Sequence, residues 1–483
     1  MTRRLPAIVL SGLIAIGVWP LAQGGAADSL AALLDSIESR RAHHAEVARQ
    51  IWEFAELGYQ EQRSSALLQS ELRAGGFDVK TGVADMPTAF VATYGSGPPS
   101  IGFIAEFDAL PGLSQEVSSS RRAAVEGAPG HGCGHNLLGT GSIAAALALA
   151  EWLASSHRPG TLTVFGTPAQ EGGAGKVYMV RAGLLASVDT VVSWHPGDRN
   201  DASASSTNAY INAKFRFHGV ASHAASAPEK GRSALDGVEA MNHMINLLRE
   251  HLPQETRVQY IITRGGSAPN VVPDLAEVYY DVRHRDMPTL DGIWNRIVDA
   301  ARGAALGTGT TMDVEVISAV YNLLPNEYLS KLMRENLLRV GGVTYAPEDQ
   351  LLADEIRQTL TDPPATLPVG SQSTVQPDRP VVASSGSDLG DVSWNVPTVT
   401  MTAATSVPGV PNHSWQAAAC AGSSIGAKGM IVAAKTMALT AAQLLADPRH
   451  LDMATAEFDR RRGAGFVYKA RLGDREPPLD YRR

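Results

Sequence analysis

Between Phe90 and Trp194 short apolar runs alternate with helix-length segments, and this alternation constrains the fold more than any other feature of the chain. The runs Phe90 to Tyr94, Ile101 to Glu106, Thr161 to Thr167 and Thr190 to Trp194 have strand length, and the small-residue stretch Gly139 to Ala154 has helix length. Strands that alternate with helices predict an α/β sheet of mainly parallel strands. Sheets of that kind gather their chemistry in loops at the carboxyl ends of strands. Asp108, Glu171 and His195 all fall at such ends.

Near Asn208 the pattern changes. The alternating segment Ala209 to His218 precedes a helix from Ser233 to His251, then the strands Arg257 to Thr263 and Leu275 to Arg283, a helix from Leu290 to Leu306, and a last strand Thr311 to Val316. This strand-helix-strand-strand-helix-strand order is ferredoxin-like and predicts an α+β domain inserted into the first. A chain of 483 residues exceeds what one hydrophobic core normally serves, which agrees with two domains. The expected divisions are 28–207 and 323–447 for the main domain and 208–322 for the inserted one. The return path runs through a helix from Glu327 to Val340, a Pro/Ser/Thr-rich loop from Thr359 to Val381, a strand from Thr398 to Thr402 and a long helix from Ile425 to Leu445. A charged tail, 448–483, follows.

At the other end, Arg3 and Arg4 precede an apolar run from Leu5 to Leu21 and then the small residues Gly24 to Ala27. That order predicts a signal peptide over 1–27 and a periplasmic or secreted protein. The run carries Pro6, Gly12, Gly17 and Pro20 and is short for a spanning helix, so no membrane contact is expected after cleavage. Export leads to an oxidising compartment, yet Cys133 and Cys420 are the two cysteines present, and they can pair only if Cys133 is not a metal ligand. A net charge of -8 argues against nucleic acid and favours a small-molecule partner.

The densest ligand chemistry lies in Gly130 to Gly139, where Cys133 and His135 sit two apart among glycines. With Glu171, His195 and His413 they make a set of thiolate, imidazole and carboxylate donors suited to zinc or manganese. Five donors are too many for one tetrahedral ion. Two divalent ions bridged by the Cys133 thiolate are the simpler account, and such pairs activate water and polarise a carbonyl together. Taken singly, each residue has a plainer role open to it: His195 as a loop histidine, Glu171 as a helix cap, His413 as the anchor of a turn.

Motifs in order along the chain add a resemblance. Glu-Phe-Asp-Ala-Leu-Pro at 106–111, Gly-Cys-Gly-His at 132–135, Pro-Ala-Gln-Glu-Gly-Gly at 168–173, Trp-His-Pro at 194–196, Ser-His-Ala-Ala at 222–225 and the late His413 resemble the aminoacylase and auxin-conjugate amidohydrolase branch of the co-catalytic metallopeptidases. The resemblance implies a metallopeptidase-like catalytic domain with the inserted domain as its lid, and hydrolysis of the amide bond of N-acyl amino acids, including aromatic acyl-glutamates such as p-aminobenzoyl-glutamate. It implies Cys133, His135, Glu171, His195 and His413 as the metal ligands, Asp108 as the carboxylate that orients an imidazole, and His223 of the lid as an electrophile at the scissile carbonyl. Asn270 and Arg283 match substrate-binding positions, although Arg283 read alone is equally a surface charge at a strand end. The lid is also where a homodimer or hetero-oligomer would form. One departure stands out: Gln170 occupies the place of the family's first Glu, which takes the proton from the attacking water. An amide holds water but accepts no proton. The chain is therefore expected to be a slow hydrolase, a non-catalytic amide-binding relative, or a form altered to trap substrate.

Overall fold

The computed structural model describes residues 23–482, so the run read as a signal peptide lies outside the described residues except for its last five. Three helices, α1 (Gln23–Ser39), α2 (Arg41–Phe54) and α3 (Gln62–Ala74), lead into the strands β1 (Asp78–Thr81), β2 (Phe90–Ser96) and β3 (Ser100–Glu106). Helix α4 (His135–Ser156), strand β4 (Gly160–Thr167), helix α5 (Gly175–Arg181) and strand β5 (Thr190–Gly197) complete the first pass. A two-residue strand β6 (Ser206–Thr207) marks the passage to the second domain. There β7 (Ala209–His218), α6 (Ala234–Leu248), β8 (Arg257–Arg264), β9 (Leu275–His284), α7 (Met287–Thr308) and β10 (Thr311–Val320) follow in turn. The chain then returns through α8 (Glu327–Val340), α9 (Pro347–Gln358), β11 (Val382–Ala383), α10 (Leu389–Ser393), β12 (Thr398–Ala404), α11 (Trp415–Ala421), α12 (Ser424–Ala446) and α13 (Arg449–Arg462).

The main sheet has the order β1-β2-β4-β3-β5-β12. Pairings β4/β3, β3/β5 and β5/β12 are parallel, and the outer β1/β2 and β2/β4 pairings are antiparallel. The central strands are buried on both faces, as all seven residues of β3 show. Parallel strands covered by helices on both sides read as unbroken apolar runs for this reason. Helices α4 and α12 are buried nearly all round and pack on each other and on the sheet, which is the behaviour of core helices. Each fully buried leucine in them, such as Leu138, Leu149 and Leu444, contributes about 1.5–3 kcal/mol.

The inserted domain is a four-stranded antiparallel sheet of order β10-β7-β9-β8 with α6 and α7 on one face. That is the ferredoxin-like arrangement expected from its element order. The alternation in β7 and β9 places Phe215, Phe217, Val278, Tyr280 and Val282 against the helices.

Three local expectations differ from the structure. Helix α4 begins at His135, not at Gly139, because Gly134 adopts φ +75° and turns the chain straight into it. Helix α9 was not expected, since its acidic residues mask a short buried face of Ala353 and Ile356. The stretch expected as a charged tail is helix α13 and then an extended segment, 463–482. Its Leu472 is buried, and Phe466, Tyr468, Leu479 and Tyr481 pack against the hydrophobic cluster that includes Val177 and Tyr178 of α5 and the apolar face of the lid sheet. Arg471 and Arg475 in it are engaged by carboxylates and carbonyls and are not left to solvent.

Candidate metal centre

Three turns bring the donors together. Gly134 takes positive φ, and a Cβ there would lie 2.8 Å from the Pro196 side chain, so only glycine lets the Cys133-Gly134-His135 turn rest on the end of β5. His195 sits near the end of that strand, opposite Thr402 of β12. The His413 backbone N–H donates to the Gly132 carbonyl at 2.9 Å, which draws the loop after β12 against the same turn. Glu171 lies in the loop between β4 and α5.

The loop that carries Glu171 is strained. Ala169 and Ala174 both have left-handed backbone, φ +54° and +57°, and Gly172 has φ +100°. Left-handed alanine costs roughly 1–2 kcal/mol per residue, so it persists only where surrounding groups fix it. Here Glu61 accepts from the Ala169 N–H at 2.8 Å, the Tyr59 hydroxyl donates to the Gly173 carbonyl at 2.7 Å, and Asp108 Oδ2 accepts from the Glu171 N–H at 2.8 Å.

The donor atoms form two overlapping groups, Cys133 with His135 and His195, and Cys133 with Glu171 and His413, each with its ligating atoms within 4.8 Å of one another. Cys133 Sγ is 3.5 Å from His195 Nε2, and His413 Nε2 is 3.1 Å from Glu171 Oε1. The nitrogens that face away are held: His195 Nδ1 lies 2.7 Å from the Pro196 carbonyl, and His135 Nδ1 lies 2.8 Å from Asp108 Oδ1. Carboxylate and carbonyl acceptors of that kind fix which nitrogen stays free to ligate. Asp108 thus places one oxygen on an imidazole and the other on the backbone of Glu171.

Burial and the Glu171 carboxylate push the Cys133 thiol up, but the imidazoles of His135 and His195 outweigh them and hold it down to about 6. Hydrogen bonds to Cys133 and Glu171 raise His413 to about 10. A thiolate at neutral pH is the ligating form. Three buried polar atoms around the cluster meet their neighbours only in poorly aligned contacts: His135 Nε2 and Glu106 Oε2 lie 3.1 Å apart, and Glu171 Oε1 lies 3.1 Å from His413 Nε2. Buried polar atoms without well-aligned hydrogen bonds are rare in proteins, and cations held by the two donor groups would satisfy His135 Nε2 and Glu171 Oε1. The residues present therefore fit a pair of divalent ions.

A cavity of about 690 Å³ opens over this cluster, lined among others by Gln170, Asp198, Arg199, Ser387 and Asn412. The Gln170 amide donates to the Ser387 hydroxyl at 3.4 Å. Arg199 is the one cationic side chain of Lys or Arg type in that lining, and its pairing with Asp198 through Nε and Nη2 leaves Nη1 facing no protein acceptor among the described residues. Three of the expected residues are not brought to the cavity within one chain. His223 is exposed on the lid, its Nδ1 accepting from the Ala225 and Ser226 N–H groups. Asn270 is exposed beside it, and Arg283 is held by Asp281 over the Tyr210 ring.

Behind the cluster lies a feature that the sequence did not disclose. Lys176 is fully buried, 2.8 Å from Glu106 Oε1 and 2.7 Å from Asp388 Oδ1, and Glu106 Oε2 comes within 3.1 Å of His135 Nε2. A lone lysine beside the apolar run Val177 to Val180 was the available signal. Its partners lie 70 residues before and 212 after it, and only the fold joins them.

Comparison with known proteins agrees with this architecture. Residues 206–308 match the peptidase dimerisation domain family. The chain is 38% identical over 438 residues to one of the subunits of the p-aminobenzoyl-glutamate hydrolase of Escherichia coli K12, covering 86% of this chain and 91% of that one. It is 31% identical to the Xaa-Arg dipeptidase of Mus musculus, over 85% of this chain and 88% of the relative. Among solved structures, a dinuclear metal-binding peptidase of the M20 family from Bacillus subtilis superposes with a TM-score of 0.58 at 17% identity, covering 85% of this chain and 99% of that one. The chain belongs to the M20 family of metal-dependent peptidases and amidohydrolases.

Proposed function

We propose that this protein hydrolyses the amide bond of N-acyl amino acids, aromatic acyl-glutamates such as p-aminobenzoyl-glutamate among them, with two divalent ions of zinc or manganese held by Cys133, His135, Glu171, His195 and His413. The observation that carries the reading is the pair of donor groups sharing Cys133 at the floor of a cavity of small-molecule size. When bound, two ions supply an activated water and polarise the scissile carbonyl. The protein's part is to hold the reacting amide over the cluster, with Arg199 as the cation for the substrate carboxylate and Gln170 hydrogen-bonded to the attacking water. His223 reaches the carbonyl on closure of the lid or from the lid of a second copy. Self-association through the lid, or pairing with a second kind of subunit, is part of the same proposal, as is export to the periplasm or beyond the cell.

Gln170 favours a second reading, a relative that binds its amide tightly and turns it over slowly. Release of glutamate from p-aminobenzoyl-glutamate, measured with zinc or manganese added, separates the two. Gln170→Glu is expected to raise kcat about 100- to 10,000-fold, the usual worth of a general base. Tight calorimetric binding with no product from either form would favour the binding reading, and a parent chain as fast as Gln170→Glu would show that the base lies elsewhere.

A further inference from the structure

The backbone of Glu171 is held on both sides by groups distant in sequence. Its N–H goes to Asp108. Its carbonyl accepts two hydrogen bonds from the last residues of the extended segment, from the Tyr481 hydroxyl at 3.0 Å and from the Arg482 guanidinium. The Tyr481 ring stands edge-on to Tyr59 with centroids 5.7 Å apart, and Tyr59 in turn donates to Gly173. A Cβ at Gly58 would come 2.5 Å from the Tyr481 hydroxyl and 2.8 Å from Ala169, so glycine there lets the segment and the loop close on each other. Upstream, Arg181 donates to the Gly473 and Arg475 carbonyls and Tyr178 to the Glu476 carbonyl. Arg475 is anchored on the lid, donating to the Val316 and Ile317 carbonyls and pairing with Glu315.

We propose that the segment 477–482 is a positioning strap for the candidate metal centre: Tyr481 and Arg482, acting through the Glu171 carbonyl, hold the strained 169–174 loop so that the Glu171 carboxylate faces Cys133 and His413. The physical need is plain. The two left-handed alanines, Ala169 and Ala174, make the loop costly, and a carboxylate on a loop free to relax loses the orientation that a ligand requires. The loop's own length supplies no hydrogen bond to the Glu171 carbonyl, and the strap supplies two. Tyr481 and Arg482 are not among the residues that line the cavity.

The test uses the full chain and the variants Tyr481→Phe, Arg482→Met, the double variant, and Arg482→Lys, which keeps a cationic donor. Hydrogen exchange of the metal-free protein over 168–176 is read together with zinc affinity by chelator competition. In the double variant the strap predicts exchange in that loop faster by about tenfold, and affinity for one of the two ions weaker by about tenfold, with exchange elsewhere and the melting temperature unmoved. Arg482→Lys should recover part of both. Loop exchange and zinc affinity equal to those of the parent would overturn the proposal. So would faster exchange throughout the molecule with a lowered melting temperature, which is the mark of a merely structural contact. The zinc arm rests on the ligand set proposed above, and a parent chain that binds no zinc would sink that set while leaving the loop exchange to decide for or against the strap.

Discussion

Glu61 is a buried carboxyl at the back of the ligand loop, where it accepts from the Ala169 N–H and the Thr88 hydroxyl. Burial and the nearby Asp108 carboxylate raise it to about 8. A carboxyl whose folded value lies above its unfolded one gives stability that is full below the unfolded value, near 4.5, and lost as pH rises through the folded one. The metal-free protein is therefore expected to lose stability between about pH 5 and pH 8, and Glu61→Gln to flatten that slope in urea titrations at stepped pH. A second residue, Arg199, bears on specificity. Arg199→Met should raise KM for a free N-acyl amino acid about tenfold or more, the worth of a charge-assisted hydrogen bond, and leave KM for the carboxamide analogue unchanged. Equal losses on both substrates would remove Arg199 from carboxylate recognition. At this scale the donors Cys133, His135, Glu171, His195 and His413 were legible because each is a chemically distinctive residue at a strand end or in a glycine turn. Arg199 was not, since nothing in Gly-Asp-Arg-Asn separates a cavity cation from a surface one. Arg283, chosen instead, ends a lid strand and is satisfied by its own neighbour Asp281.

At the scale of elements, helix α5 does more than follow the ligand loop. Its second residue, Lys176, neutralises two buried carboxylates, Glu106 at the end of β3 and Asp388 beside α10, and joins three elements behind the cluster. Lys176→Met would leave Asp388 buried without a cation and Glu106 with the His135 imidazole alone. Removing one partner of such a group costs about 3–5 kcal/mol, and denaturant unfolding of the metal-free protein should show a loss of that order. A loss below about 1 kcal/mol would mean that water reaches the carboxylates. The strands and the long apolar helices were readable from periodicity alone, and the lid elements matched to within a few residues at most ends. Segment 463–482 was not readable. Its anchors Phe466, Tyr468, Leu472, Leu479 and Tyr481 lie two, four, seven and two residues apart, which sustains neither a strand nor a helix period, and its arginines suggest a solvated tail to any reading based on charge. Segments held by side chains from other elements carry no local signature of being held.

For the molecule as a whole, the lid is the surface with an unfinished edge. Strand β8 is one of the two outer strands of the lid sheet, and it exposes Ile261 and Ile262 on opposite faces of the sheet. An exposed apolar edge strand is a template for pairing with another chain. Ile261→Lys is expected to move the sedimentation of the protein towards a monomer, while a species unchanged in size would place self-association on another surface. The two-domain plan was legible because the change from mainly parallel to alternating strands falls at one point in the chain, near Asn208. How the lid sits on the main domain was not, because contacts that tie the two come from segment 463–482, which belongs to neither pattern.

The division of Asp108 between two duties has a consequence for how the centre fills. One of its oxygens orients His135, which belongs to the first donor group, and the other fixes the backbone of Glu171, which belongs to the second, while Cys133 belongs to both. If both positions hold ions, the two binding equilibria are linked: an ion at either position changes the affinity of the other by the same factor. No substitution at Asp108 or Cys133 can tune a single position. A change confined to one donor group would fall on His195 or His413, the members of a single group whose placement does not pass through Asp108.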